Sequence, residues 1–167
     1  MTAALVREVL AQVPDPEIPV ITIEDLGILR DIAVEGTHVV VTVTPTYSGC
    51  PAMDEIRADI VTALAAAGVD DVEVRTVLAP AWTTEWMSED GKRKLREFGI
   101  APPGQLLLQI RPRVECPQCG SSDTEEMARF ASTSCKSLWR CRSCREPFGY
   151  LLAELQHLHR SHPGVSW

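Results

Sequence analysis

The chain opens on a helical stripe. Val6, Val9, Leu10 and Val13 recur at three- and four-residue steps, which puts them on one face of a helix. Thr2 stands where an N-cap is needed. Pro14-Asp15-Pro16 ends the stripe, because neither proline donates a backbone hydrogen bond and each restricts its predecessor. Glu17 to Gly27 is apolar but has no period, and Pro19 lies inside it; this predicts a loop folded over the core. Alternation then runs through Ile28, Arg30, Ile32 and Val34 and again from His38 to Val43, on either side of Gly36. That pattern predicts an antiparallel hairpin turning at Glu35-Gly36-Thr37. Met53, Ile56, Ile60, Val61, Leu64 and Ala67 form a second helical stripe, with Pro51 suited to its first position, Asp54 and Glu55 in its first turn and Gly68 as its stop. Val72 to Leu78 alternates again and predicts a third strand.

The expected fold class is therefore α+β: a small α-β-β-α-β domain with a three-stranded sheet and helices on one face. Beyond it come an aromatic loop, Pro80 to Trp86, and a short charged helix capped by Ser88 and ended by Gly99. Pro102-Pro103-Gly104 reads as a linker and Gln105 to Val114 as a strand entering a cysteine-rich segment. These signals divide the chain into residues 1–100, a linker at 101–104, a second unit at 105–150 and a tail at 151–167.

Composition narrows the class. Of the 167 residues 45% are hydrophobic, enough for a real core. The net charge of −7 argues against nucleic acid and acidic membrane as partners of the whole protein. Arg7 and Glu8 interrupt the N-terminal apolar pattern, so it does not read as a leader, and no uncharged run is long enough to span a bilayer. The cytoplasm is the expected compartment.

The six cysteines carry the candidate chemistry. Cys116-Pro117-Gln118-Cys119 and Cys141-Arg142-Ser143-Cys144 are paired turns in a leaderless chain, which points to a metal rather than to disulfides. Four thiolates suit tetrahedral zinc, and Gly120 permits the positive φ of such a knuckle. The expectation is a zinc ribbon with Cys116, Cys119, Cys141 and Cys144 as ligands. Its short intervening segment offers little core, so the metal would supply much of the folding energy. Thiolates alone leave iron, or an iron–sulfur cluster, as the alternative. The ribbon is locally basic, but Asp123, Glu125, Glu126 and Glu146 offset Arg129, Lys136, Arg140, Arg142 and Arg145, and aromatic residues are sparse. Cys135, beside Lys136, is read as a buried small hydrophobe, as a surface thiol working with a partner, or as a fifth ligand swapping into the metal site.

Cys50 stands apart, in Thr44-Pro45-Thr46-Tyr47-Ser48-Gly49-Cys50-Pro51. Preceding Pro51, it is expected at the N-cap of the second helix, where the dipole and unpaired N–H groups favour a thiolate and Asp54 and Glu55 oppose it. It is then a small cap, or a thiol that handles a soft metal. Asp15, Glu17, Glu24 and Asp25 form an acidic group ahead of the hairpin, able to assist a metal or only to cap turns. Trp82 and Trp86 suit either a partner interface or core packing. His157, His159 and His162 are metal-capable, but nothing in the tail orients them.

Taken in order, Asp15-Pro16-Glu17, Asp25-Leu26-Gly27-Ile28 and Gly49-Cys50-Pro51 resemble the iron–sulfur-assembly-associated domain of SufT-like proteins, over residues 1–80. The Thr44–Ala52 loop, Pro80-Ala81-Trp82-Thr83-Thr84-Glu85-Trp86 and the ribbon ending in Glu146-Pro147-Phe148 extend the likeness to about residue 150. Over that length the chain is similar to the PaaD (PaaJ) family, accessory subunits of the phenylacetyl-CoA epoxidase system. The resemblance implies a role without catalysis of its own: assembly or maturation of a metal centre in the epoxidase or its reductase. It implies Cys50 as the thiol that handles a transient iron ion or iron–sulfur cluster, with Asp15 and Glu17 in support, and structural Zn2+ on the four ribbon cysteines. The implied partners are the epoxidase or reductase subunits, and a homodimer through the sheet edge stays open. A thiol enzyme using Cys50 and a ribbon that merely docks a partner are the competing functions.

Overall fold

The computed structural model describes residues 1–104, 113–133 and 135–152. Helix α1 spans Ala3–Leu10, and the Thr2 side chain caps it by accepting the Leu5 N–H at 3.4 Å. Val6 and Leu10 are buried as the stripe predicts. Strands β1 (Leu29–Glu35) and β2 (His38–Val43) pair antiparallel, with Gly36 at φ +65° between them. A register shift between Leu29 and Asp31 lets Leu29 and Ile32, three residues apart, both face the core. Helix α2 (Met53–Ala66) crosses over to β3 (Val72–Thr76), which lies parallel to β2. A parallel neighbour needs such a crossover, so β2-α2-β3 is one unit and β2 is the central strand. Met53, Ile56, Ile60 and Leu64 of α2 are buried, but Val61 is exposed; the core stripe is narrower than the sequence pattern. Gly68, at φ +83°, ends the helix as expected.

The loop from Pro14 to Gly27 closes on itself and caps the core. Pro14 and Thr22 form an antiparallel bridge, and the Asp15 N–H donates to Ile21 O at 2.9 Å. Ile18, Ile21, Ile23 and Leu26 are all buried, each worth about 1.5–3 kcal/mol against exposure. The next segment fastens this loop from outside. Trp82 Nε1 donates to Leu26 O at 2.8 Å, and Arg30 stacks on the Trp86 ring at 3.5 Å. Helix α3 (Glu89–Glu97) starts at Ser88, whose Oγ accepts from Gly91 N–H at 2.8 Å and donates to Asp25 at 2.9 Å. Lys94 reaches the other Asp25 oxygen at 2.8 Å. Trp82, open to two readings in the sequence, is a core residue.

A second sheet follows, in the order β4-β7-β6-β5. It comprises β4 (Ile100–Ala101), β5 (Thr124–Ala128), β6 (Lys136–Cys141) and β7 (Pro147–Leu151). β4 pairs parallel with β7, so the chain has joined this sheet before Pro102. Ile100, Cys135 and Leu151 belong to the core of the first unit, which makes the two units continuous in packing. The second unit has a small core of its own, including Val114, Trp139, Phe148, Tyr150 and Leu152. The strand expected from Gln105 lies largely, and the histidine tail wholly, outside the described residues.

Gly27 is the tightest point of this assembly. Its φ is +70°, and a Cβ there would stand 2.3 Å from Trp86 O. Gly27→Ala adds left-handed backbone strain to steric overlap and is expected to cost about 2–4 kcal/mol in chemical denaturation. A loss under about 1 kcal/mol would show that the aromatic loop does not press on the turn. Burial pushes the Asp25 carboxyl up, but Lys94, Ser88 and the Thr22 N–H outweigh burial and hold it below the usual range. A depressed carboxyl stabilises the fold above its unfolded pKa, and that contribution is lost as pH falls through the folded value. Asp25→Asn should therefore cost about 2 kcal/mol at pH 7 and less near pH 3, checked by urea melts at both pH values.

Candidate functional site

The loop from Thr44 to Cys50 leaves β2 through the core. Thr44, Thr46 and Tyr47 are buried, and the Thr44 N–H donates to Ile28 O at 2.9 Å. The chain then turns at Tyr47–Cys50, where the Cys50 N–H meets Tyr47 O at 3.2 Å. The N-cap of α2 is Ala52, with helical φ/ψ and no side-chain cap. Cys50 is thus two residues upstream of the cap it was expected to form. Its thiol still receives the N–H groups of Ala52 and Met53, but their effect is outweighed. Burial pushes the thiol up to about 11, and the negative charges of Glu17 and Asp15 add to it. Of the opposing influences on this thiol, those that keep the proton prevail, because desolvation of a half-buried sulfur exceeds what two backbone donors return.

The acidic group divides into distinct roles. Asp15 is buried, and its Oδ1 accepts the backbone N–H of Glu17 at 2.9 Å and of Ile18 at 2.8 Å. Burial raises its pKa, with Lys136 and the two N–H groups opposing. Asp15 therefore shapes the turn that presents Glu17. Glu24 pairs with Arg7 at 3.0 Å, and Asp25 holds α3; both fasten the fold.

Cys135 closes the cluster from the second unit. Its thiol donates to Glu17 Oε2 at 3.0 Å and lies 3.0 Å from Thr133 Oγ1. Burial foremost, then the Glu17 contact, pushes this thiol up to about 12. The reading of Cys135 as buried agrees with the structure, but none of the sequence readings named Glu17 as its partner. Residues so far apart in the chain leave no local signal of contact.

The ribbon site is built from two knuckles of like shape. The residue after each pair is left-handed, Gly120 at φ +72° and Arg145 at φ +67°. Backbone bonds from Gly120 N–H to Cys116 O and from Cys141 N–H to Glu146 O close the turns at 2.9 and 3.0 Å. The Sγ atoms of Cys116, Cys119, Cys141 and Cys144 all lie within 4.8 Å of one another. Two of the edges are 3.7 Å (Cys116 to Cys144) and 3.6 Å (Cys119 to Cys141). A tetrahedron of metal–sulfur bonds near 2.3 Å has edges of about 3.8 Å, so the four sulfurs fit one ion. The Cys144 N–H, which meets Cys141 Sγ at 3.5 Å, is the main cause holding that thiol down to about 6. Burial and the crowded neighbouring thiols push Cys116, Cys119 and Cys144 the other way, so the four do not titrate alike. Among the described residues this is the one group of three or more ligand side chains gathered so closely. Metal binding is the chemistry of this site. Nearby, Arg142 is engaged by Glu125 at 2.9 Å and Asp123 at 3.8 Å.

Comparison with known proteins follows the same division. Residues 3–77 match the family model described as iron-sulfur cluster assembly protein, and residues 101–152 match the PaaD zinc beta ribbon domain. A protein of Escherichia coli (strain K12), named for the 1,2-phenylacetyl-CoA epoxidase as one of its subunits, is 48% identical over 143 residues, covering 84% of this chain and 87% of that protein. An Fe-S protein maturation auxiliary factor of Porphyromonas gingivalis is 37% identical over 89 residues, or 52% of this chain and 83% of its own length. A crystal structure of a domain of unknown function, DUF59, from Bacillus anthracis superposes with TM-score 0.52 at 33% identity, covering 56% of this chain and 90% of that one. Among the described residues no helix is long and apolar enough to cross a membrane. An iron–sulfur-assembly domain joined to a PaaD zinc ribbon, with this identity over most of both chains, makes the chain a member of the PaaD family.

Proposed function

We propose that the protein is an accessory subunit of a phenylacetyl-CoA epoxidase system and serves the maturation of one of its metal centres. Cys50 is the thiol that takes and releases a metal ion or an iron–sulfur cluster, with Glu17 and Asp15 beside it. The four ribbon cysteines hold structural zinc. The observation that carries this reading is the state of Cys50: a half-buried thiol that keeps its proton, set against two carboxylates at the start of a helix.

Such a sulfur is a poor nucleophile. Burial, with the charges of Glu17 and Asp15, keeps the proton on this sulfur at neutral pH. That weighs against an enzyme working through Cys50. A soft cation changes the balance, because it displaces the proton and its charge is compensated by the neighbouring carboxylates. When the cation leaves, the raised proton affinity of the site returns the proton to Cys50 Sγ. A thiol of this kind holds a metal transiently rather than permanently. The identity to an epoxidase subunit and to an Fe–S maturation factor supports the choice of client.

Cys50→Ala should leave the protein folded and zinc-loaded yet abolish growth on phenylacetate in a cell that depends on this chain. Normal growth would sink the proposal, and a docking role for the chain would take its place. Elemental analysis of the purified protein should find about one zinc per chain. Iron accompanied by visible absorption would replace zinc in the ribbon.

A further inference from the structure

The Cys135 side chain has no place in the ribbon's metal site, yet it is buried and aimed at the other unit. Its Sγ sits 3.0 Å from Glu17 Oε2. Its backbone is held as firmly: Cys135 O accepts the Leu152 N–H at 2.8 Å, and the adjoining Lys136 pairs with Leu151 in the β6–β7 ladder. Glu17 itself is only half-buried. Without a donor its carboxylate would turn to water, where an ionised group is better solvated. Thr133 Oγ1, 3.0 Å from the same sulfur, satisfies the thiol as acceptor while the S–H donates to Glu17.

We propose that Cys135 is a positioning residue for the Cys50 site: the ribbon delivers its thiol to Glu17 and holds that carboxylate in place beside Cys50. The two matched units then form one functional site, not a site and an attached module. This inference rests on the reading of Cys50 as the working thiol.

The groups around the two sulfurs define what the contact does. Cys50 is faced by the carboxylates of Glu17 and Asp15 and by the N–H groups of Ala52 and Met53. Cys135 is faced by Glu17, Thr133 and Lys136. Lys136 is itself buried and acts on Asp15 as well as on Cys135. Of these, Glu17 is shared by both thiols. A fixed Glu17 keeps its negative charge on the Cys50 side; a released Glu17 does not.

The test uses the full-length, zinc-loaded protein and reads alkylation of Cys50 by iodoacetamide at pH 8.5, resolved from the other cysteines by peptide mass spectrometry. Cys135→Val keeps the apolar volume and removes the donor. It should speed Cys50 alkylation about fivefold, equivalent to a fall of about 0.7 in pKa. Glu17→Gln should do the same. The double variant should be no faster than either single one, since both remove one interaction. Cys135→Ser, which keeps a donor, should stay within about twofold of the parent. If Cys135→Val does not fold, Cys135→Ala takes its place in the cycle. An unchanged rate in the Cys135 variant, failure of serine to restore the parent rate, or multiplying effects in the double variant would overturn the proposal. None of these readouts depends on growth on phenylacetate, so a failed maturation role and a failed positioning role are told apart.

Discussion

The strap from Pro14 to Gly27 is the constraint on which the Cys50 site depends. It has four buried aliphatic side chains beneath it and two aspartates that fold its ends. Asp15 spends its carboxylate on the turn that presents Glu17, and Asp25 ties the strap to α3. Trp82 and Trp86 then close over it, so tightly that Gly27 has no room for a methyl group. Because the strap is fastened along its length, the position of the Glu17 backbone is set by the first unit, and its carboxylate is left for Cys135 to hold.

The chain uses cysteine in two opposite ways. In the ribbon, backbone N–H groups converge on sulfur and the four thiols crowd one point, within reach of a single ion. That arrangement suits permanent retention of a metal. At Cys50 and Cys135, burial and nearby carboxylates keep the protons on. That arrangement suits a site that is filled and emptied. The contrast follows from local donors and acceptors, with the same side chain throughout.

Much of the first unit is legible in the sequence because its signals are local. Thr2, Ser88, Gly36 and Gly68 act on their own neighbours, and the two paired cysteine turns announce a metal site by spacing alone. Val61 fails the stripe because a helical face is a probability of burial, and only packing decides its edge. Pro51 suggests a cap at Cys50, but the extra turn that moves Cys50 upstream is set by Tyr47 and the buried threonines. Its proton affinity depends on burial, which no window of sequence reports. The contact of Glu17 with Cys135 is the extreme case: it exists because β4 joins the ribbon sheet ahead of Pro102 and brings β6 back to the strap. A proline-rich linker motif hides that continuity.

The central claim is that a client's metal centre depends on this chain. The most direct measurement is the metal content of each epoxidase and reductase component, purified from cells with and without the protein, together with its co-purification. The maturation role predicts that the protein travels with one component and that this component loses metal when the protein is missing. Full metal occupancy in every component made without it would contradict the claim.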